Sequence, residues 1–262
     1  MAWISLAVNL NAEVMLEPPT VVERGPHWSV VQWVTQETDP AGNIVNIPHS
    51  ITELASGLNV LRDGTWQPAK AEFEVLPGAF VARQGQFRVI LNTNANCAGV
   101  VDLLMPDGQT RLRASLLSLR YHDLASGQSV TLGTIQDSQG QWLDPTMVAY
   151  TSALSGLEAD LVYKLGLGKF EQDLVLRRRP PDPELFKLNP ATTVIEIWTE
   201  FYQPPTPNKT ETVWPVETDP QKRQAMAEPD LVNEFLDFGS MQMPSGKAFV
   251  SGTADSRARP VA

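Results

Sequence analysis

Runs of alternating residues, each about one strand long and each closed by a turn signal, recur along this chain from residue 27 to residue 202. They constrain the fold more than any other feature. Ala71-Glu72-Phe73-Glu74-Val75 runs into Pro77-Gly78, and Phe87-Arg88-Val89-Ile90-Leu91 follows Gln84-Gly85. Val101 to Met105 ends in Pro106-Asp107-Gly108, and Leu112 to Tyr121 ends in Ala125-Ser126-Gly127. Side chains on a strand alternate faces, so a period of two bounded by Gly, Pro, Asn or Asp marks antiparallel β-structure. The pattern predicts an all-β protein, a large antiparallel β-sandwich with long hairpin-connected strands.

Individual segments extend the reading. His27 to Val34 reads as a strand, Asp39 to Asn43 as its turn and Ile44 to Ile47 as its return. Asp63-Gly64, between Leu58–Arg62 and Thr65–Gln67, is a two-residue hairpin signal, because both turn positions need positive φ. Val130 to Ile135, Leu157 to Leu165 and Phe170 to Leu176 are further strands. Val194 to Tyr202 is apolar on both faces in part and reads as a central strand. Pro183 predicts one short helical turn over Asp182 to Leu188. The alternating faces place Phe73, Val75, Phe87, Val89, Leu91, Leu161, Leu174 and Leu176 in the core.

Composition changes outside this block. Residues 203–230 hold six prolines among many charges and read as a Pro-rich linker or long loop. Residues 231–250 read as a C-terminal hairpin packed on the sandwich, turning at Pro244-Ser245-Gly246, and 251–262 as a disordered tail. Residues 1–26 form an N-terminal arm or signal remnant. Ala2 to Leu10 is mildly apolar, and reads either as the end of a signal peptide that starts upstream or as an ordinary first strand. The main sandwich is then 27–202.

Charge narrows the partners. The net charge of −10 is the opposite of a basic nucleic-acid footprint, so no nucleic acid is expected. No run of 18 apolar residues exists, so no helical membrane span is expected. A single cysteine, Cys97, excludes an internal disulfide.

Residues that could carry chemistry are few. HExxH, GxSxG and Walker motifs are absent. Gly166-Leu167-Gly168 lacks a third glycine and reads as a hairpin turn. His27, His49 and His122 are isolated in sequence. Asn92, Asn94, Asn96 and Asp102 place oxygens in a loop, but Cys97 stands where a calcium loop needs glycine. No metal and no cofactor is expected. Glu171 and Asp173, two apart on a strand, share a face; with Glu200 they are the acids a glycoside hydrolase would use. Seven tryptophans are many for this chain, and Trp66 and Trp142 lie beside turns, where a ring can stack on a sugar.

Several phrases occur together: Glu53-Leu54-Ala55-Ser56-Gly57-Leu58 with Asp63-Gly64-Thr65-Trp66, Val81 to Gln86, Asp102-Leu103-Leu104 with Pro106-Asp107-Gly108, Gly168 to Asp173, and Thr199-Glu200-Phe201. Over residues 25 to 250 the chain resembles the N-terminal β-rich region of large exported bacterial multidomain proteins, found ahead of lectin-like or YD-type repeats. The resemblance implies an extracellular or cell-envelope location and supplies no catalytic residues. The expected function is a non-catalytic module for adhesion, scaffolding or glycan contact, with glycans or envelope components as partners. The alternative is a carbohydrate-active enzyme on a large β-sandwich.

Overall fold

The computed structural model describes residues 14–226 and 230–248. The apolar segment Ala2 to Leu10 and the tail 251–262 lie outside the described residues. Strand accounts for 55% of the structure and helix for 4%, so the alternating runs do form an all-β protein.

The first described elements form a ribbon. β1 (Val14–Met15), β2 (Thr20–Gly25), β3 (Trp28–Thr38) and β4 (Ile44–Leu54) form one sheet. β3 and β4 pair over eleven positions, from Trp28↔Leu54 to Thr38↔Ile44. The turn between them is closed by Asp39, whose carboxylate accepts from the Ala41 and Asn43 N–H groups. β5 (Asn59–Arg62) and β6 (Thr65–Pro68) form the Asp63-Gly64 hairpin, with φ of 49° and 76° at its two turn residues. Those values are what a two-residue type I′ turn demands.

The main sheet follows. It takes β7 (Glu74–Leu76), β8 (Ala79–Ala82), β9 (Arg88–Asn92), β10 (Val101–Leu104), β11 (Arg111–Asp123) and β12 (Ser129–Ile135). The chain then leaves it for β13 (Gly140–Asp144) and β14 (Met147–Tyr150), and touches it again at β15 (Leu154–Ser155). β16 (Ala159–Leu165) and β17 (Phe170–Leu176) complete a second, four-stranded sheet in the order β13-β14-β16-β17. β18 (Thr193–Phe201) returns to the main sheet and pairs with β11. The thirteen-residue β11 organises that sheet. One of its edges holds β18 and the other holds β10 and then β12, with register breaks at Leu116/Ser118 and Leu119/Arg120. Bulges of this kind bend a strand and increase its twist, and here the eight-stranded sheet curls into a half-barrel.

The core fills the space between the two sheets. On β16 the side chains of Ala159, Leu161, Tyr163 and Leu165 are buried, every second residue, and they meet Val89, Leu91, Leu112 and Leu116 of the main sheet in one cluster. Tyr150 crosses it: its hydroxyl donates to the Asn92 carbonyl at 2.5 Å, and its ring lies edge-on to Tyr163 at 5.9 Å. Among the described residues no buried side-chain N or O lacks a hydrogen-bond partner.

Five sequence expectations change. Val75 is 61% exposed although Phe73 is buried, because β7 starts at Glu74 and Phe73 precedes it, so the two do not share a strand face. Phe87, Leu174 and Leu176 pack on the rim of the core and are half-buried. The segment Val194 to Tyr202 is an edge strand, β18, paired on one side only. Within 203–230 the structure places a strand and a helix where the prolines suggested a loop. β19 (Asn208–Pro215) pairs along its length with β20 (Asp230–Asp237), and α1 (Pro220–Ala225) caps the connection, with Asp219 accepting from the Gln221 N–H. Strand pairing overrides composition here: Pro215 closes β19 and Pro220 opens α1, positions where a missing N–H costs least, and Pro204, Pro205 and Pro207 lie ahead of β19. Finally, the C-terminal hairpin turns at Phe238–Met241 rather than at Pro244-Ser245-Gly246, with β21 (Gln242–Pro244) as its return. Phe238, Met241 and Met243 pack against the core. The helical turn at Pro183–Phe186 forms as expected, with Asp182 as its N-cap.

A polar latch fixes the ribbon to the core. The buried Asn59 side chain donates to the Gly25 and Trp28 carbonyls at 2.8 and 2.9 Å and accepts from Arg24. Gln86 donates to the carbonyls of Pro26 and Asn59, both at 2.7 Å. Beside this latch, Gly57 has a φ of 73°, and a Cβ there would lie 2.1 Å from the Leu167 carbonyl oxygen. Gly57→Ala therefore combines left-handed strain of about 1–2 kcal/mol with a collision against backbone. Gly64 has a φ of 76° and open space around it. The expected result in urea melts is that Gly57→Ala loses about 2 kcal/mol more than Gly64→Ala. Equal losses would show that the turn at Leu167 does not abut Gly57.

Candidate functional site

An open groove of about 460 Å³ lies on the ribbon, between the segment ahead of β2 and the β3–β4 pair. Trp33 and His49 are direct cross-strand partners, and their rings stack at 5.1 Å with 10° between planes. The arrangement follows from register: residues opposite each other in an antiparallel pair bring their side chains within contact. His49 Nε2 is 2.8 Å from the hydroxyl of the buried Thr35, which fixes the imidazole and, through it, the indole. Gln32, Asn46, Ser50 and Glu17 also border the groove, but Gln32, Ser50 and Asn46 alternate with Trp33 and His49 along β3 and β4 and so project from the other face of the ribbon. The stack offers an aromatic plane whose orientation is fixed by the Thr35–His49 hydrogen bond. An ordered aromatic plane beside a groove suits a ligand with an apolar face.

A second groove, of about 390 Å³, is lined by Arg111, Arg113 and Tyr202 with the Gln203-Pro204-Pro205 segment. Its cations are engaged. Arg111 forms an ion pair with Asp102, and the Arg113 guanidinium lies over the Tyr202 ring at 5.8 Å.

The residues nominated from the sequence are dispersed. Trp66 is half-buried on β6, opposite Leu61. Trp142 is 46% exposed on β13, in a different sheet. Glu171 and Asp173 share a face of β17, as the alternation requires, and each is held by a lysine. Asp173 pairs with Lys164 at 2.6 Å and Glu171 with Lys169 at 2.8 Å. The Asp173 carboxylate raises the Lys164 pKa above its ordinary value. Glu200 stands on β18, in the other sheet, and accepts from the Tyr202 hydroxyl at 2.7 Å. The loop amides of Asn92 and Asn94 accept from the N–H groups two residues on, and Asn94 and Asn96 both donate to Asp137, so hydrogen bonds occupy this polar loop. Among the described residues no three His, Cys, Asp or Glu side chains converge in a metal-binding arrangement.

Sequence reasoning passed over the Trp33–His49 pair. The available signal was the equal spacing of Trp33 and His49 from the centre of the Asp39–Asn43 turn. It becomes visible only once the hairpin register is fixed.

Comparison with protein-family models, curated proteins and solved structures found no match for this chain.

Proposed function

We propose that this chain is a non-catalytic module of the cell exterior or envelope that contacts glycans through its N-terminal ribbon. The Trp33–His49 stack carries the reading. It is a preordered aromatic plane bordering an open groove, on a ribbon none of whose described residues joins the buried apolar core cluster. Trp33 and His49 are half-buried, which leaves part of the stack open to a ligand. The location follows from the resemblance to exported proteins, and the net charge of −10 suits neutral or basic partners better than anionic ones. Trp142, exposed on β13, and Trp66 are secondary contact points. The hydrolase alternative would need Glu171, Asp173 and Glu200 to act together, and the structure holds the first two with lysines on one sheet and the third on another.

The test is a glycan panel probed with the full chain. Binding to at least one neutral oligosaccharide is expected, weakened about tenfold or more by Trp33→Ala and less by Trp142→Ala. The circular dichroism of both variants should be unchanged. No binding across the panel, or binding that survives Trp33→Ala, would overturn the assignment of the groove. Reducing sugar released by the wild type and lost on joint replacement of Glu171, Asp173 and Glu200 would replace it with the enzymatic reading.

A further inference from the structure

β18 ends the main sheet with an open edge. Its partner β11 is on one side, and among the described residues no strand pairs with the other. The Leu124 N–H donates to the Thr192 carbonyl and the Tyr202 N–H to the Arg113 carbonyl, so the even-numbered residues of β18 direct their backbone groups at β11. Antiparallel ladders alternate, so Thr193, Ile195, Ile197, Thr199 and Phe201 direct theirs outward.

The side chains make this edge unusual. Natural edge strands are short, kinked, proline-bearing or charged, because a long apolar edge recruits another strand. β4, an eleven-residue strand also paired on a single side, carries Pro48 near its middle. β18 runs nine residues without proline, and Ile195, Ile197 and Trp198 are 47%, 49% and 45% exposed. Ile195 and Ile197 lie opposite Tyr121 and Leu119, both buried, so the apolar row of the core continues off the sheet onto them. The strand is also fixed in place. Thr192 Oγ1 donates to the buried Asp123 at 2.5 Å, and together with the Ser126 hydroxyl it holds that carboxyl down at about 2. Arg120 lies 4.0 Å from the Trp198 ring centre, whose Nε1 donates to Glu196 at 2.8 Å.

We propose that the occupant of this edge is β18 of a second copy, joined antiparallel about a twofold axis at Ile197. The sequence of the strand is self-complementary in that register. Outward-facing residues oppose outward-facing ones, as ladder hydrogen bonds require: Ile197 meets Ile197, Ile195 meets Thr199 and Thr193 meets Phe201. On the opposite face Glu196 meets Trp198 and Val194 meets Glu200. All nine residues are paired and no carboxylate opposes another, although each strand carries two. Sliding the axis to Ile195 or Thr199 shortens the pairing and leaves apolar residues unmatched. A twofold contact is isologous, so it closes at two copies and does not propagate into a fibre. The two half-barrels become one continuous sheet across the dimer. This inference stands apart from the glycan reading, and either can fail alone.

The experiment measures association of the full chain by analytical ultracentrifugation, with cross-linking to fix the register. A concentration-dependent dimer is expected. Ile197→Lys places two cations against each other on the axis and should weaken dimerisation about tenfold or more. Ile197→Pro removes a donor that points outward and leaves the β11 ladder intact, so it should give a folded monomer. In a Cys97→Ala background, Ile197→Cys should form an intermolecular disulfide under oxidation, since directly opposed residues sit about 5.5 Å apart at Cα. Glu196→Cys, opposed to Trp198, should not. A wild type that stays monomeric at high concentration, a dimer indifferent to Ile197→Lys, or equal cross-linking at both positions would each overturn the proposal.

Discussion

Tyr163→Ala is expected to cost this protein about 3–5 kcal/mol of folding stability, the range for deleting a large buried aromatic ring. Tyr163 is fully buried on β16 and contacts rings on two sides: Tyr150 edge-on at 5.9 Å and Phe170 stacked at 5.4 Å. Its hydroxyl donates to Gln172 on the adjacent β17 at 3.0 Å. Truncation removes the ring from the middle of the layer between the two sheets and leaves a cavity whose walls belong to strands fixed by their own ladders, so collapse to fill it is limited. Against a total stability of about 5–15 kcal/mol for a domain, this is a large share. Tyr163→Phe keeps the ring and loses one hydrogen bond, for about 1 kcal/mol. Val75→Ala, at an exposed site, should fall within about 0.5 kcal/mol of wild type. Urea unfolding of the three variants gives the comparison. A Tyr163→Ala loss no larger than that of Val75→Ala would show that the core is not where the structure puts it.

The pattern of period two reached this core because it is a local property. Leu161, Tyr163 and Leu165 alternate with Asp160, Val162 and Lys164 whatever the rest of the chain does, and Val89 and Leu91 behave the same way. Asp63-Gly64 was legible for a similar reason, since both φ values are set by the two residues themselves. What the sequence left hidden depends on who sits next to whom. Val194 to Tyr202 is apolar enough for a central strand, and nothing within those nine residues says that one neighbour is missing. The prolines of 203–230 suggested a loop, yet Lys209 to Trp214 pair with Leu231 to Leu236, a partnership between segments separated by a helix. The candidate site was less legible than the fold. Trp33 and His49 form a stack only through the register of β3 against β4, and Asn59 is a buried latch only because Gly25, Trp28 and Ser29 converge on it. Such residues are defined by tertiary neighbours, which composition does not encode.

Alkaline pH should unfold this protein sooner than its secondary structure would suggest. Tyr150 and Tyr163 both have their phenol pKa pushed well above the ordinary value, first by burial. Their mutual proximity, and that of the Cys97 thiol, adds repulsion against a second negative charge nearby. Both hydroxyls also act as donors, to the Asn92 carbonyl and to Gln172, which only the protonated form can do. The sign follows from linkage. Below about pH 10, the ordinary tyrosine value, both states keep their protons and the stabilisation is complete. Above it the unfolded chain ionises while the folded chain does not, so the unfolded state binds fewer protons and stability falls as pH rises. Each of the two tyrosines contributes a slope approaching about 1.4 kcal/mol per pH unit until its folded pKa is reached. Cys97, whose thiol burial also pushes up, adds a smaller loss that begins at lower pH. Denaturant midpoints measured from about pH 9 to 11 should therefore decline steeply. Tyr163→Phe should remove close to half of the slope attributable to the pair, and Cys97→Ala should flatten its onset. Tyr150→Phe should remove the other half, at a cost near neutral pH of about 1 kcal/mol for the donor lost from Asn92. A midpoint that stays flat over this range in the wild type, with phenolate absorbance appearing before unfolding, would mean that these rings are reached by water and that the two sheets do not close over them.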